Sequence, residues 1–398
     1  MKLFKADIVN KDLFFTRFYY FMYVGFGGFV LPFMNLFYVS LGLNGKQVGT
    51  ITSTNSIIGL LAAPMIVMEI KKRTKARFYL QAGLLIAALG YLVLSQQTSF
   101  FPIIILLVFL SPVNSSLAPL SDSMAVSVVQ SSNSGYGSIR VLGSLGWIFV
   151  VPIAGWLIER MGFKSGFSGV SIGWAIAACL LFLISPRNFF HPEQVHEIKP
   201  GIKVSLSKIL HNKTLVGFAI ALIAIGFLNN GVQQFEYVFL SNLGASKQTI
   251  SIAGILSAVI ELPFMLLSDK IQKNIGPHKL MIMAVSILFF QRLTVLLFPS
   301  IAAIMIIRLI NGISFSFYTI SFLGLISSQT NSSDRGTILA LFTVTLAGLV
   351  TFIASPISGA IYDLIGARYL YLFSSIGYFI AITSLWISRP SQNQITSR

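Results

Sequence analysis

Six ionisable side chains stand inside otherwise apolar stretches of this chain: Asp122, Arg140, Glu236, Glu261, Arg292 and Arg308. An ionised side chain at the centre of a bilayer costs about 3 kcal/mol or more, so each of them needs a partner or a watery cavity. Three acids and three bases can supply those partners. Asp122 and Arg140, eighteen residues apart across a short hairpin, predict one ion pair in the first half of the chain. Glu261 with Arg292 or Arg308 predicts another in the second half. A buried arginine beside a carboxylate keeps spare guanidinium donors in a fixed fork, an arrangement suited to the hydroxyls or the carboxylate of a solute. Glu261 has apolar neighbours on both sides, and desolvation there favours the neutral acid, which marks it as a proton acceptor. Glu236 lies in the polar stretch NNGVQQFEY, which also suits a partly solvated helix. Arg308 can alternatively snorkel to the helix periphery. Trp147 is seven residues past Arg140 and shares its helical face, where it would stack on a ring or simply pack.

This is the chemistry of binding and proton exchange. No nucleophile, metal or phosphate-binding motif accompanies the acids, so an enzyme is not expected. The single Cys179 excludes an intramolecular disulfide, and the four histidines (191, 196, 211 and 278) fall in loops, which leaves neither a zinc site nor a buried histidine relay. No cofactor or metal is expected. The sequons at Asn114, Asn212 and Asn331 fall in a helix or on the side assigned below to the cytoplasm, and read as chance matches.

The elements that position these residues follow from composition. With 55% hydrophobic and 10% charged residues among 398, the chain has too little polar surface to cover a soluble globule. Apolar runs of some 20 residues cross about 30 Å of hydrocarbon as helices. Twelve are predicted, at 13–40, 47–68, 78–97, 101–129, 138–158, 166–186, 214–241, 248–268, 279–298, 300–327, 337–362 and 368–388. Short alternating segments, the mark of a membrane barrel, do not occur. The first run is too long for the core of a signal peptide and lacks a cleavage site behind it, so it is expected to stay in the protein.

The net charge of +16 would suggest nucleic acid, but its placement argues against that partner. Most of the 28 Lys and Arg sit in the termini and in the loops after the second, sixth, eighth and tenth spans. Five fall in or at the edge of the opposite loops. This positive-inside bias puts both termini in the cytoplasm, with the run Lys71, Lys72, Arg73, Lys75, Arg77 as an anchor against anionic lipid.

Two halves are visible. PIAGWLIERMG at Pro152 to Gly162 returns as PISGAIYDLIG at Pro356 to Gly366, displaced by 204 positions, and FYVSLGLNGKQ from Phe37 returns loosely as YVFLSNLGASKQ from Tyr237. Parallel repeats of apolar segments are one signature of secondary transporters, which rock one half against the other. The predicted organisation is an N-terminal six-helix bundle at 1–186, a polar cytoplasmic linker at 187–213 and a C-terminal six-helix bundle at 214–398. Pro192 and Pro200 break the linker, while Ile202 to Leu210 suits a short amphipathic helix on the membrane surface. Gly and Pro cluster in the first, fifth and eleventh spans, marking helices that approach closely or bend.

PLSD at Pro119 to Asp122, YGSIRVLGSLGW at Tyr136 to Trp147, ELPFMLLSDKIQKNIGPHKL at Glu261 to Leu280 and QRL at Gln291 to Leu293 together resemble the major facilitator superfamily, in the branch of lactose permease and the phenylpropionate permeases. The resemblance spans the whole chain. It implies an all-α polytopic fold of twelve transmembrane helices in two pseudo-symmetric bundles around a central solute cavity, coupled to proton movement. It further implies that Asp122 and Arg140 bind solute, that Trp147 stacks on a sugar ring, and that Glu261 and Arg292 link solute to proton; Glu236 and Arg308, from the reading of the charges alone, are further candidates for that coupling. Two departures stand out. Where lactose permease carries a histidine and a glutamate in its tenth helix, this chain has Asn311 and Ser314. The acid-glycine-basic signature between the second and third helices is reduced to MEIKKRTKAR, with Glu69 its only acid.

The expected function is therefore secondary transport of a small organic solute, a sugar or glycoside first, by proton symport in a monomeric, multi-pass protein of a bacterial plasma membrane. Its partners are the solute, protons and the lipid bilayer. An aromatic acid or a nucleoside is the alternative cargo, and proton-driven export the alternative direction. A membrane sensor that binds without transporting is the reading from another class.

Overall fold

The computed structural model describes residues 11–72, 76–130, 132, 134–189 and 202–389. Sixteen α-helices occur among them, with no strand. They are α1 (Lys11–Tyr20), α2 (Met34–Ser40), α3 (Gly45–Lys72), α4 (Ala76–Leu94), α5 (Phe100–Gln130), α6 (Tyr136–Met161), α7 (Phe163–Leu180) and α8 (Ile202–His211) in the first part of the chain. The second part has α9 (Lys213–Leu228), α10 (Asn230–Asn242), α11 (Lys247–Ile275), α12 (Pro277–Leu297), α13 (Ile301–Gln329), α14 (Ser332–Ala340), α15 (Ala347–Ile365) and α16 (Ala367–Ile387).

Eleven helical stretches among the described residues are long and apolar enough to cross a membrane. They match the predicted spans from the second onward. The stretch predicted as one helix at 13–40 is instead delivered in pieces: α1, a π-helical turn at Phe21–Gly25, a 3₁₀ turn at Leu31–Phe33, and α2. Its glycines and Pro32 account for the break, because no Cβ shields the backbone and the proline lacks an N–H. A second π turn, Leu341–Leu346, sits in the stretch leading to α15. The fifth predicted span, α6, stays continuous although it carries Pro152. α8 occupies the linker segment read as a short amphipathic helix, whereas Pro192, Pro200, His191, His196, Arg73 and Lys75 lie outside the described residues.

The described residues form two compact units. One takes those of Met1–Leu43, Ile57–His196 and Ala245–Ile255; the other takes those of Asn44–Ser56, Glu197–Gly244 and Leu256–Arg398. The first turns of α3 thus belong to the second unit, and those of α11 to the first.

In the first unit, the π turn crosses α6 where Gly25 meets Gly146; a Cβ on Gly25 would lie 2.7 Å from the Gly146 Cα. α4 packs along α7, where Ser171 Oγ donates to the Ala88 carbonyl at 2.7 Å. In the second unit, α9, α12, α13 and α16 enclose a core that includes Phe218, Met281, Val285, Leu325, Tyr378 and Leu385. Burying a side chain of this size is worth about 1.5–3 kcal/mol against water, but in lipid the gain comes from close packing instead.

The sequence repeat has a structural counterpart. Helix N-termini expose N–H groups without intrahelical partners, and carboxylates satisfy them both by hydrogen bond and by charge. In the second unit the Asp363 carboxylate, near the end of α15, accepts from Gly45 N at 2.5 Å and Lys46 N at 2.9 Å, capping α3. In the first unit the Glu159 carboxylate, near the end of α6, accepts from Lys247 N at 2.5 Å, capping α11. Glu159 and Asp363 are the repeated acid of the two motifs. The repeated glycines make the approach possible: a Cβ on Gly155 would overlap Ser251, and one on Gly359 would overlap the Gly45 carbonyl.

Candidate solute-binding site

The second unit holds a cavity of about 410 Å³. Its walls come from α9, α10, α12, α13 and α16, and Glu236, Arg292 and Arg308 line it together with Asn229, Gln233, Tyr237, Asn311, Phe315, Tyr318 and Tyr378. The volume lies within the range of small-molecule sites, and the lining mixes aromatic faces with a few convergent polar groups as such sites do.

Local sequence explains the geometry. The apolar run of α9 ends at Asn229, whose Oδ1 accepts from Ser374 Oγ on α16 at 2.7 Å. α10 restarts at Asn230, where the Asn230 side chain accepts from Gln234 within the first turn. Glu236 follows in the next turn of α10 and is buried. Glu236 Oε1 accepts from Arg308 Nε of α13 at 2.5 Å, and Oε2 from Arg292 Nη1 of α12 at 3.5 Å. The three side chains are 8%, 21% and 11% exposed for Glu236, Arg308 and Arg292. Tyr237 lies under the Arg308 guanidinium at 5.1 Å and Tyr371 near that of Arg292 at 6.0 Å, so both cations also face aromatic rings.

This arrangement corrects one expectation. The sequence predicts Glu261 as the partner of Arg292 or Arg308; the carboxylate bonded to both is that of Glu236. Glu261 is half-buried on α11, and its carbonyl accepts from Ser316 Oγ of α13 at 3.0 Å, while Gly312 allows the two helices to touch beside it. Asn311 lines the cavity and donates from Nδ2 to Ser257 Oγ at 3.4 Å. Ser314 is buried and accepts from Gln291 Nε2 at 3.0 Å.

The first unit holds the other predicted residues, and there the expected ion pair does not form. Asp122 of α5 accepts two tyrosine hydroxyls on the same oxygen, Tyr20 at 2.6 Å and Tyr136 at 2.7 Å. Arg140 is exposed, with its guanidinium 6.0 Å from the Tyr136 ring centroid. Tyr136 therefore stands between acid and base. Two phenol donors stabilise a carboxylate without a counter-charge, and they leave the Arg140 fork unengaged with Asp122. Tyr20 was missed because it is 102 positions away in sequence; Tyr136 was within reach, lying one helical turn before Arg140. Trp147 is half-buried in α6 beside Gly28 of the broken first span.

A bundle of membrane-spanning helices with a charged, solute-sized cavity defines a polytopic membrane carrier. The sequence profile of the MFS_1 like family matches residues 14–381, and the chain belongs to that family. It is 24% identical over 385 residues to a maltose permease of Geobacillus stearothermophilus, covering 96% of this chain and 95% of that one. To the uncharacterized transporter YwbF of Bacillus subtilis (strain 168) it is 22% identical over 360 residues, covering 90% and 88%. Among solved structures, the nucleoside transporter NupG superposes with a TM-score of 0.78 at 15% identity over 95% of this chain and 99% of that one. A bacterial homolog of the human lysosomal transporter Spinster superposes with 0.68 at 14% over 96% and 98%. The chain is thus a multi-pass membrane transporter of the major facilitator type, as the sequence motifs implied.

Proposed function

We propose that the protein is a proton-coupled symporter that imports a small polar organic solute by alternating access across a bacterial plasma membrane, as a monomer with both termini in the cytoplasm. The observation that carries this reading is the Glu236–Arg292–Arg308 cluster on the cavity wall. Ionisable groups inside a membrane helix bundle are costly even when paired and mark solute and proton pathways. The similarity to a maltose permease supports a sugar or glycoside as the first class of solute. Asp122, Arg140 and Trp147 supply further solute contacts in this reading, and Glu261 a second acid in the proton path.

A nucleoside is the second reading. Aromatic side chains Tyr237, Phe315, Tyr318 and Tyr378 on the cavity wall suit a planar base, and NupG has the same fold. Uptake of labelled sugars and nucleosides into proteoliposomes, with an inward proton gradient imposed and then collapsed, tests both. Accumulation that follows the gradient supports symport. Uptake indifferent to the gradient removes proton coupling, and no uptake of either class removes both readings.

A further inference from the structure

The charged groups on the cavity wall do not balance. Two arginines and one glutamate leave one positive charge in excess among the lining residues. Arginine does not release its proton in a protein, so the excess is permanent. The hydrogen bonding is unbalanced in the same sense. Arg308 meets Glu236 through Nε alone, and its two terminal nitrogens make no hydrogen bond among the described residues. Arg292 reaches the carboxylate only at 3.5 Å, and its Nε is buried without a hydrogen-bond partner. Arg292 as a whole is only 9% exposed. The terminal nitrogens of Arg308, unbonded on the wall of a solute-sized cavity, match a planar oxyanion.

We propose that the transported solute is an anion, a small polar molecule bearing one carboxylate, a sugar acid above all, whose carboxylate replaces that of Glu236 on the two arginines when Glu236 takes up a proton. This rests on reading the cavity as the solute site. With Glu236 ionised, its carboxylate occupies the guanidiniums and competes with the solute. Protonation removes the competitor: an O–H bond forms on Glu236, the two arginines are released, and the solute carboxylate takes their donors. On release the solute leaves, Glu236 returns its proton to water, and the original pair re-forms. No other bond is made or broken. Proton and anion therefore bind cooperatively, each raising the affinity for the other by the same factor.

The groups facing Glu236 agree with this exchange. From α12 and α13 they are the two arginines, from α10 the phenol of Tyr237, and from α16 the phenols of Tyr371 and Tyr378. α9 contributes the uncharged Asn229. The Asp363 carboxylate of α15 caps α3 instead.

The test uses the purified full-length protein and matched pairs of probes in which a CH2OH is exchanged for a carboxylate on an unchanged ring: glucose and glucuronate, galactose and galacturonate, methyl glucoside and methyl glucosiduronate, benzyl alcohol and benzoate. Thermal stabilisation is recorded at mildly acidic and mildly alkaline pH. The anionic member of at least one pair should stabilise the protein, its neutral partner should not, and its affinity should rise about tenfold on acidification. Glu236→Gln should bind the anion with the acidic affinity at both pH values. Arg292→Gln should lose anion binding, and Arg292→Lys, which keeps the charge, should retain part of it and shows that the site still folds. A neutral probe that binds as well as its anionic partner overturns the proposal, as does silence across all four pairs. Charge movement in proteoliposomes separates this outcome from failure of the transport reading. One anion moving with one proton carries no net charge, whereas a neutral sugar moving with a proton produces an inward positive current. Current with a neutral sugar overturns the anion proposal and leaves symport standing. Anion binding without any uptake leaves the site standing and overturns transport.

Discussion

Glu236 Oε1 and Arg308 Nε, on α10 and α13, meet at 2.5 Å with both side chains mostly withdrawn from solvent. Removing one member of such a pair strands the other as an uncompensated buried charge, at a cost of about 3–5 kcal/mol. Glu236→Gln, which strands Arg308 and Arg292 together, should therefore destabilise more than Arg308→Gln, which leaves Glu236 facing Arg292. Thermal melts in detergent of both singles and the double variant Glu236→Gln/Arg308→Gln, set out as a cycle, check this; a double variant as unstable as the sum of the singles would show the pair to be uncoupled.

Asp122 depends on Tyr20 and Tyr136. Tyr20→Phe and Tyr136→Phe each remove one hydroxyl donor from a half-buried carboxylate, and each should cost about 1.5–3 kcal/mol, the value of a hydrogen bond to a charged group. Asp122→Asn and Arg140→Gln are both expected to abolish uptake if the two act on solute together. The informative variant is Tyr136→Phe, which breaks the link between them while leaving acid and base in place. Uptake and melting temperature measured side by side separate loss of the link from loss of the fold.

Trp147 should distinguish a stacking role from a packing one. Trp147→Tyr keeps an aromatic face and should keep solute affinity, while Trp147→Ala should lower it about tenfold, as loss of an aromatic contact worth 0.5–1.5 kcal/mol or more predicts. Because the indole lies beside Gly28, Trp147→Ala also opens a void there, so affinity and melting temperature are both measured. A fall in stability with affinity unchanged assigns Trp147 to packing.

Glu261→Gln should exchange solute for solute across the membrane yet fail to concentrate it, if Glu261 serves the proton path. Counterflow and gradient-driven uptake in the same vesicles read the two properties separately. Full accumulation in this variant leaves Glu236 as the coupling acid.

The carboxylate caps predict local effects. Glu159→Ala and Asp363→Ala each expose one or two amide N–H groups at a helix start, and each should cost about 1 kcal/mol. Hydrogen exchange should quicken at Lys247 in the first variant and at Gly45 and Lys46 in the second, with the rest of the chain unchanged.

Much of this structure was legible in the sequence because lipid imposes a simple rule: an apolar run must be helical to satisfy its own backbone. The later spans, the repeat and the set of charged residues all follow from it. The broken first span exceeded that rule. Hydropathy reads Phe21 to Phe33 as uniform, although the glycines there permit a π turn. Partner choice was the less legible part. Glu236 and Glu261 are both acids within apolar surroundings, and which of them meets the arginines is set by how α10, α12 and α13 pack, which no local pattern records. Likewise Asp122 finds hydroxyls instead of a guanidinium because Tyr20, distant in sequence, reaches α5.

The two caps are reciprocal: Glu159 of the first repeat serves a helix of the second, and Asp363 of the second serves a helix of the first. A half-length chain would carry an acid with nothing to cap and a helix start with no acid. Two copies of it would satisfy both needs at once, each lending the other its carboxylate, as in an isologous dimer. Joining the halves in one polypeptide turns that concentration-dependent exchange into an intramolecular one. The link also frees the halves to diverge, since Gly45 and Lys247 need only an acid of the right reach, and the chain has filled one position with glutamate and the other with aspartate.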